Sequence, residues 1–284
     1  MIPAQPSRTA WRVALRRAAH QLLDKPQVLD DPVALTILGP RIAAQLWANP
    51  AENERGPASA HMRAFLAVRS RFAEDHLAAW RTRGIQQYVV LGAGLDTFAY
   101  RIPAGPSLQV WEVDHPATQA WKRKLLDEAH IAIPANVQHV AVDFEHDNLA
   151  DCLARAGFDI NAGAVFAWLG VVPYLTQDAI RATLTYIAKA TGNGGGVAFD
   201  YPLDRASMTW RQRIMFDLLA ARVESVGEPF QSSFVPEQLQ RELRALGFAV
   251  AEDASPDLLN ARYFDHRSDE LKVGSLAHMM WAGA

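Results

Sequence analysis

The stretch Tyr88–Thr97 reads YVVLGAGLDT, and the rest of the chain is organised around it. Its first half is apolar and rich in β-branched and aromatic residues, which is typical of a buried strand. Gly92 and Gly94 can adopt backbone angles closed to other residues, and without a Cβ they let a ligand approach the main chain. In open α/β sheets, a strand that runs into Gly-x-Gly forms a nucleotide site at the carboxyl edge. The same glycines would also suit an ordinary tight turn.

The residues after the glycines bear on which nucleotide is bound. A dinucleotide fingerprint has a third glycine three residues after the second, and Thr97 stands there instead. Asp96 places a carboxylate where a pyrophosphate would sit, and the two would repel each other. The turn therefore favours a ligand that carries an amine or a cation. An NAD-type oxidoreductase on a similar sheet is the alternative that these two residues disfavour.

Composition limits the class of protein. The chain has 284 residues, half of them apolar, with a formal charge of −3, which suits one large α/β domain with a full core. A near-neutral balance argues against a nucleic-acid partner. The single cysteine, Cys152, excludes an internal disulfide and a cysteine-cluster metal site. We find no apolar run of about 20 residues and no apolar signal core at the start. We therefore expect a cytoplasmic protein with no membrane partner and no metal.

Helical patterns precede the first strand. Apolar residues recur every three or four positions over 9–23, and shorter helices are expected over 32–37 and 41–47. Asp30 or Asp31 is expected to cap the second of these helices. The sequence thus predicts a helical N-terminal cap over residues 1–58.

Strand and helix patterns alternate through residues 59–284, the predicted main domain. Strands are expected at 88–91, 108–113, 136–142, 164–169, 197–201, 248–252 and 271–281. Such alternation predicts an α/β fold with a doubly wound, mostly parallel seven-stranded sheet of Rossmann-like type. The last strand is reached without a crossover helix and should be antiparallel. Residues 204–235 are expected to form a lid insertion.

Arg69 lies on the apolar stripe of the helix expected over 59–82, between Phe65 and Phe72. A guanidinium in that position needs a partner, because an unpaired buried charge is costly. Either Arg69 snorkels or pairs internally, or it binds a ligand carboxylate in bidentate fashion. Arg63 and Arg71 are expected to face solvent.

Acidic residues follow the second and third strands. Glu112 and Asp114 stand about 20 residues after the glycines, the position from which a carboxylate binds ribose hydroxyls. They share one side of the strand, although they could instead cap the next helix. Asp143 and Phe144 end the third strand, where they could bind the amine and the ring of an adenine. The basic run at 122–124 is expected on a solvated face.

Taken together, residues 63–201 resemble the leucine carboxyl methyltransferase-like family of class I S-adenosylmethionine-dependent methyltransferases, and its bacterial O-methyltransferase branch in particular. The stretches that carry the resemblance are Val68–Phe72 (VRSRF), Leu91–Thr97 (LGAGLDT) with Tyr100 and Arg101, Glu112–Pro116 (EVDHP), Val142–Phe144 (VDF) and Trp168–Leu175 (WLGVVPYL). They occur in the order of the family.

The resemblance implies S-adenosylmethionine as cofactor. It implies that Arg69 binds the cofactor's carboxylate and that the turn of Gly92, Ala93, Gly94 and Asp96 lies under the methionine part. The ribose would be bound by Asp114 with Glu112, and the adenine by Asp143 and Phe144. The resemblance also places Trp168 and Leu169 in the cofactor site. One departure is the Trp168-Leu169-Gly170 stretch. Relatives that act on a protein phosphatase have an acid there, which argues against that substrate.

The implied activity is methyl transfer to oxygen on a small molecule or peptide in secondary metabolism. No histidine stands in a pattern that marks a general base, and an ionised carboxylate needs none, so a carboxyl acceptor is favoured. A phenol or polyketide hydroxyl is the alternative acceptor, and a non-catalytic cofactor-binding module is a further alternative. Tyr174 and Tyr201 could line the acceptor site or serve as ordinary packing.

Overall fold

A single sheet organises the computed structural model, which describes residues 7–52, 54, 59–101, 108–144, 146–225, 227 and 229–284. The strands are β1 (Gln87–Leu91), β2 (Gln109–Asp114), β3 (Val137–Ala141), β4 (Ala164–Trp168), β5 (Gly195–Pro202), β6 (Val250–Ala254) and β7 (Ala277–Gly283). They lie in the order β3-β2-β1-β4-β5-β7-β6. The first five strands run parallel, and β7 is antiparallel to both of its neighbours. The predicted doubly wound, mostly parallel seven-stranded sheet is therefore confirmed.

The described helices flank this sheet or precede it. They are α1 (Arg8–Leu23), α2 (Val33–Thr36), α3 (Pro40–Ala48), α4 (Ser59–Arg81), α5 (Phe98–Arg101), α6 (Pro116–Glu128), α7 (Leu149–Arg155), α8 (Gln177–Ala190), α9 (Trp210–Glu224), α10 (Pro236–Ala245) and α11 (Pro256–Tyr263). The sequence patterns did not predict α11. They also placed the start of β7 too early, because the apolar residues Leu271 and Val273 are buried outside any strand.

Side chains alternate between the two faces of the sheet. Tyr88 and Val90 of β1 lie in a buried cluster with α4 residues, whereas Val89 and Leu91 lie in a second cluster with residues of α7, α8 and α10. Both faces are thus covered, as a parallel sheet requires. The carboxyl ends of β1, β2, β4 and β5 meet at one edge, and the candidate site lies there.

The N-terminal helices pack beside that edge. Ala14 and Ala18 of α1 share a buried cluster with Leu46 of α3, Leu95 of the glycine turn and Leu126 of α6. The region predicted as a cap is therefore helical in its described part. Residues 1–6, 53 and 55–58 of that region lie outside the described residues. The prediction that Asp30 or Asp31 is the N-cap residue of α2 is wrong. Pro32 is the N-cap residue of α2 and makes no side-chain capping bond.

The segment predicted as a lid contains a 3₁₀ turn (Arg205–Ser207) and α9. Helix α9 buries Val223 and leaves Trp210 and Leu218 about two-thirds exposed, at 66% and 64%. Residues 226 and 228 lie outside the described residues. In the part of the chain that the structure describes, the helices are too short or too polar to cross a bilayer.

Candidate functional site

The glycine turn after β1 has a conformation that requires its glycines. Gly92 and Gly94 have φ angles of +67° and +49°, which L side chains rarely adopt. A Cβ on Gly92 would lie 2.2 Å from Cγ2 of Val171. The amides of Gly92 and Ala93 donate to the carbonyl of Val113 at 2.8 and 3.0 Å. The turn is thus held on the ends of β2 and β4.

Asp114, at the end of β2, also holds this turn. Its Oδ2 accepts a hydrogen bond of 2.5 Å from the amide of Gly94, and its Oδ1 accepts one of 2.7 Å from the amide of His115. Burial raises the pKa of Asp114, while these two amides oppose the rise. The residue remains partly exposed at the edge of the sheet, so its carboxylate is also accessible to a ligand.

Glu112 has different surroundings. It has no exposed surface, and its Oε2 lies 2.7 Å from Nζ of Lys122 and accepts a 2.8 Å hydrogen bond from the hydroxyl of Tyr100. Burial would raise the pKa of Glu112, but Lys122 and His139 lower it below its ordinary value. Lys122 itself is 1% exposed, so the prediction of a solvated basic run is wrong at this residue. Of the two acids of β2, Asp114 is the one at the edge.

Asp143 and Phe144 follow β3, next to the end of β2. The amide of Val142 donates to the carbonyl of Asp114 at 2.9 Å, which brings the two strand ends together. Asp143 keeps about a third of its side chain exposed (35%) and lies 3.0 Å from Nδ1 of His146. Phe144 is partly buried against the core. Both residues therefore line the same edge as Asp114.

Arg69 reaches this edge from α4. Its side chain is 12% exposed, and its Nη1 lies 3.6 Å from Oδ2 of Asp200. The guanidinium makes no hydrogen bond with any residue that the structure describes. Gly170, with a φ of +70°, leaves room for it, since a Cβ there would lie 2.6 Å from Nη1. A nearly buried guanidinium whose N–H donors have no acceptor among the described residues can bind the carboxylate of a ligand.

The two arginines of α4 that were expected to face solvent, Arg63 and Arg71, differ from each other. Arg71 is half exposed and pairs with Asp75 at 2.7 Å, as expected of a surface residue. Arg63 is buried, and it pairs with Asp24 at 2.7 Å and with Glu54 at 2.5 Å. The expectation that Arg63 faces solvent is therefore wrong. Its helix face meets α1, and periodicity within α4 could not show that.

Asp200 lies beside Arg69 at the candidate site, and the sequence analysis did not single it out. It is 4% exposed near the end of β5, and its Oδ1 accepts a 2.6 Å hydrogen bond from the amide of Gly170. Burial raises the pKa of Asp200, although Arg69 and the Gly170 amide oppose the rise. The available signal was an acid at the end of an otherwise apolar strand, at the same edge as the glycine turn.

The remaining predicted residues lie at or behind the ends of β4 and β5. Leu169 is partly exposed, whereas Trp168 is fully buried and its indole Nε1 has no hydrogen-bond partner among the described residues. Tyr174 is partly buried, with its ring 5.5 Å from that of Phe230. Tyr201 is fully buried and donates to Oδ1 of Asp253 at 2.6 Å. Its hydroxyl thus bonds to β6, which agrees with the packing alternative.

Helix α1 is bound to the glycine turn by a buried cation. Arg17 donates to Oγ1 of Thr97 at 2.5 Å, forms an ion pair with Asp31, and lies 3.5 Å from Oδ2 of Asp96. Burial would raise the pKa of Asp96, but Arg17 and other cations lower it. Ala10 lies 3.3 Å from the position of a Cβ on Gly94. Asp96 therefore has an internal partner, and α1 covers one side of the turn.

Comparison with known proteins identifies the family of this chain. The profile of the leucine carboxyl methyltransferase family matches residues 10–188. A Bacillus subtilis (strain 168) protein, YktD, named as a candidate S-adenosyl-L-methionine-dependent methyltransferase, is 29% identical over 97% of this chain and 97% of its own length. A Mycobacterium avium (strain 104) protein with the same kind of name is 33% identical over 67% of this chain and 62% of its own length.

Solved structures show the same fold. The crystal structure of a candidate methyltransferase from Thermobifida fusca YX matches with a TM-score of 0.55 and 18% identity, over 91% of this chain and 96% of its own. The family match covers well over half of the chain, and the sheet has the seven-stranded order described above. The chain therefore belongs to the leucine carboxyl methyltransferase family and is an S-adenosylmethionine-dependent methyltransferase with the class I fold.

Proposed function

We propose that this enzyme transfers the methyl group to an oxygen atom of a small molecule or peptide in secondary metabolism, and that the acceptor oxygen belongs to a carboxylate. The cofactor supplies an electrophilic methyl group on its sulfonium. The protein then has to bind and align both partners and exclude water. The proposal assigns these tasks to residues at the carboxyl edge of the sheet and to helices α1 and α9.

The cofactor placement that we propose follows the edge. Arg69 binds the carboxylate, and the turn of Gly92, Ala93 and Gly94 lies under the methionine part. Asp114 binds the ribose hydroxyls. The adenine lies between Asp143, Phe144 and Leu169. The described residues fit this ligand, because Arg69 has donors without hydrogen bonds and a Cβ at Gly170 would occupy the space of its guanidinium.

The positive charge around Arg16 of α1 supports the choice of an anionic acceptor. Arg12 and Arg16 lie one turn apart on α1 and so share a face. Burial and the positive charges of Arg222 and Arg12 lower the pKa of Arg16, although Glu54 opposes this. Among the described residues, Glu54 is the carboxylate that pairs with Arg16, at 3.6 Å, and it also pairs with Arg63. The positive charge that remains would attract a carboxylate.

The histidines near the edge have other partners, which also supports an acceptor that needs no base. Nδ1 of His115 accepts a 3.2 Å hydrogen bond from the amide of Ala117 at the start of α6. His139 lies in the buried cluster of Glu112, with its Nδ1 accepting from Arg123 at 2.8 Å. An ionised carboxylate attacks without losing a proton, whereas a hydroxyl must lose one.

An aromatic cleft beside α9 favours the alternative acceptor, a phenol or polyketide hydroxyl. The ring of Phe230 lies 5.5 Å from that of Tyr174 and stacks on that of Phe216 at 5.6 Å. A cleft of about 320 Å³ is lined by Phe216, Phe230 and Glu224. Rings of this kind would stack on a planar acceptor.

The two acceptors can be distinguished by the bond that they form. The purified enzyme would be incubated with methyl-labelled S-adenosylmethionine and a panel of carboxylic acids and phenols. A methyl ester releases labelled methanol in mild alkali, whereas an aryl methyl ether does not. Alkali-labile product supports the carboxyl proposal. Product that is stable to alkali overturns it in favour of the hydroxyl. The variant Arg16→Met should lower turnover of the carboxylate more than the variant Arg41→Met, which changes an exposed arginine on α3.

A further inference from the structure

We propose that Asp200 binds the α-ammonium group of the methionine moiety of S-adenosylmethionine, so that Asp200 and Arg69 together hold both charges of its amino-acid end. This inference rests on the proposed placement of the cofactor carboxylate at Arg69. It adds a residue of β5 to a site otherwise built from α4, β1, β2, β3 and β4.

The geometry of the pair suits a zwitterion. Nη1 of Arg69 and Oδ2 of Asp200 lie 3.6 Å apart, with no hydrogen bond between the two side chains. A hydrogen-bonded Arg–carboxylate pair has N···O distances of about 2.7–2.9 Å. The ammonium and carboxylate of an α-amino acid are attached to one carbon atom. A ligand carboxylate on Arg69 would therefore place the ammonium within reach of the neighbouring aspartate.

The position of the Asp200 carboxylate is fixed from the opposite side. The amide of Gly170 donates to Oδ1 at 2.6 Å, which leaves Oδ2 for a second partner. Gly170 must be glycine, because a Cβ there would lie 2.6 Å from Arg69 Nη1 and because its φ is +70°. The loop after β4 thus sets the spacing between the two charged side chains.

The other described acids near the turn have different partners. Asp96 interacts with Arg17, and Asp114 accepts two backbone amides. Glu112 pairs with Lys122. Asp200 is the acid that lies beside Arg69, and it is 4% exposed. An ammonium held near Arg69 without a carboxylate would be a desolvated cation beside another cation, which is unfavourable. Asp200 removes that repulsion.

A structural role for Asp200 predicts a different binding pattern. If Asp200 only orients Arg69 and the Gly170 loop, its loss should weaken every ligand that uses Arg69, whether or not the ligand has an amine. If Asp200 binds the ammonium, its loss should affect ligands that carry the amine. The two roles are therefore separated by ligands that differ in that group alone.

The test is calorimetric titration of the full chain with S-adenosylhomocysteine and with its desamino analogue. The variant is Asp200→Asn, whose amide oxygen can still accept from Gly170. In the wild type, removal of the amine should weaken binding about tenfold to a hundredfold, the range for a charge-assisted hydrogen bond. In Asp200→Asn this ratio should fall to about one to threefold. S-adenosylhomocysteine should bind the variant more weakly than the wild type, whereas the desamino analogue should bind both proteins equally well.

Several outcomes would overturn the role of Asp200, and one would overturn the cofactor placement. Equal weakening of both ligands by Asp200→Asn would assign Asp200 a positioning role and overturn the proposal. Unchanged affinity of the variant for both ligands would overturn it as well. If the variant does not fold, a wild-type ratio near one overturns the proposal without it. Failure of the wild type to bind S-adenosylhomocysteine at all would instead overturn the cofactor placement. Asp253→Asn, on β6, serves as the control and should keep the wild-type ratio.

Discussion

Arg69 combines features that seldom occur together in a residue that only stabilises a fold. Its side chain is 12% exposed and lies among apolar neighbours of α4, yet its ion pair with Asp200 is long, at 3.6 Å. Burial of a guanidinium costs free energy that a hydrogen-bonded partner normally offsets. A ligand carboxylate would supply those bonds, and cofactor binding should depend on this side chain.

The variant Arg69→Ala is accordingly expected to weaken binding of S-adenosylmethionine by roughly tenfold to a hundredfold or more, the loss of charge-assisted hydrogen bonds. Isothermal titration calorimetry would measure it. Arg71→Ala removes a half-exposed arginine from the same helix and should change affinity by less than about threefold, as for an exposed pair. Equal affinities in the two variants would remove Arg69 from the site.

His76 allows a pH prediction on stability. Its ring stacks on Trp281 at 4.1 Å, and burial lowers the pKa of His76 to about 4. In the unfolded chain the pKa of a histidine is about 6.5. Between these values the unfolded state binds the additional proton, so the free energy of unfolding should fall as pH drops from about 6.5 to 4. The loss should be at most roughly 3.5 kcal/mol, since one pKa unit corresponds to about 1.4 kcal/mol.

Urea titrations at pH 7 and pH 4.5 would measure this effect. In His76→Phe, which keeps an aromatic ring against Trp281, the difference in free energy of unfolding between the two pH values should shrink. His266→Gln changes a histidine whose side chain is 93% exposed and should leave the difference as it is in the wild type. A pH dependence that persists in His76→Phe would show that other groups cause it.

At the residue scale, the sequence analysis could single out residues whose position within one element is unusual. Arg69 was singled out as a candidate because a charge interrupts an apolar stripe, and Gly92 and Gly94 because a turn after a buried strand needs them. Asp200 was not singled out, and the partners of Glu112 and Lys122 were not foreseen, because each of these contacts joins two different elements. Periodicity within one element cannot show which side of that element another element will cover.

At the scale of elements, α1 is attached to the glycine turn through ion pairs. Arg17 is 6% exposed, and it contacts Asp31, Thr97 and Asp96. Asp31 also lies 3.8 Å from Arg101 of α5. Helix α1 is therefore fixed to the loop on which the cofactor is proposed to lie. Loss of Arg17 would remove the cation that pairs with Asp96 and would leave Asp31 with Arg101 as its remaining cation.

The variant Arg17→Met should therefore lower the free energy of unfolding by about 3–5 kcal/mol, the cost of breaking a buried ion pair from one side. Chemical denaturation would measure the loss. Arg41→Met, at an exposed position of α3, should stay within about 0.5 kcal/mol of the wild type. The double variant Arg17→Met with Asp31→Asn should recover part of the loss, because one uncompensated charge is removed. A double variant no more stable than Arg17→Met would argue against an electrostatic cause.

At the scale of the whole molecule, the alternation of strands and helices was enough to predict the sheet. Two βαβ units run outward from β1, and chain connection rules leave few other arrangements. The antiparallel direction of β7 was predicted correctly, but on the ground that no helix precedes it, whereas α11 lies between β6 and β7. The missed α11 occupies a polar stretch, PDLLNARY, where a helical stripe is weak. The placement of α1 across the turn depends on tertiary contacts, which sequence patterns do not contain.

The central claim is that one edge of this sheet binds S-adenosylmethionine from carboxylate to adenine. A crystal structure of the full chain with S-adenosylhomocysteine would test it most directly. We predict the ligand carboxylate within about 3 Å of the Arg69 guanidinium, the ribose hydroxyls at Asp114 and the adenine beside Asp143 and Phe144. A complex in which Arg69 faces bulk solvent, or in which the nucleoside lies away from the turn of Gly92 and Gly94, would contradict the account.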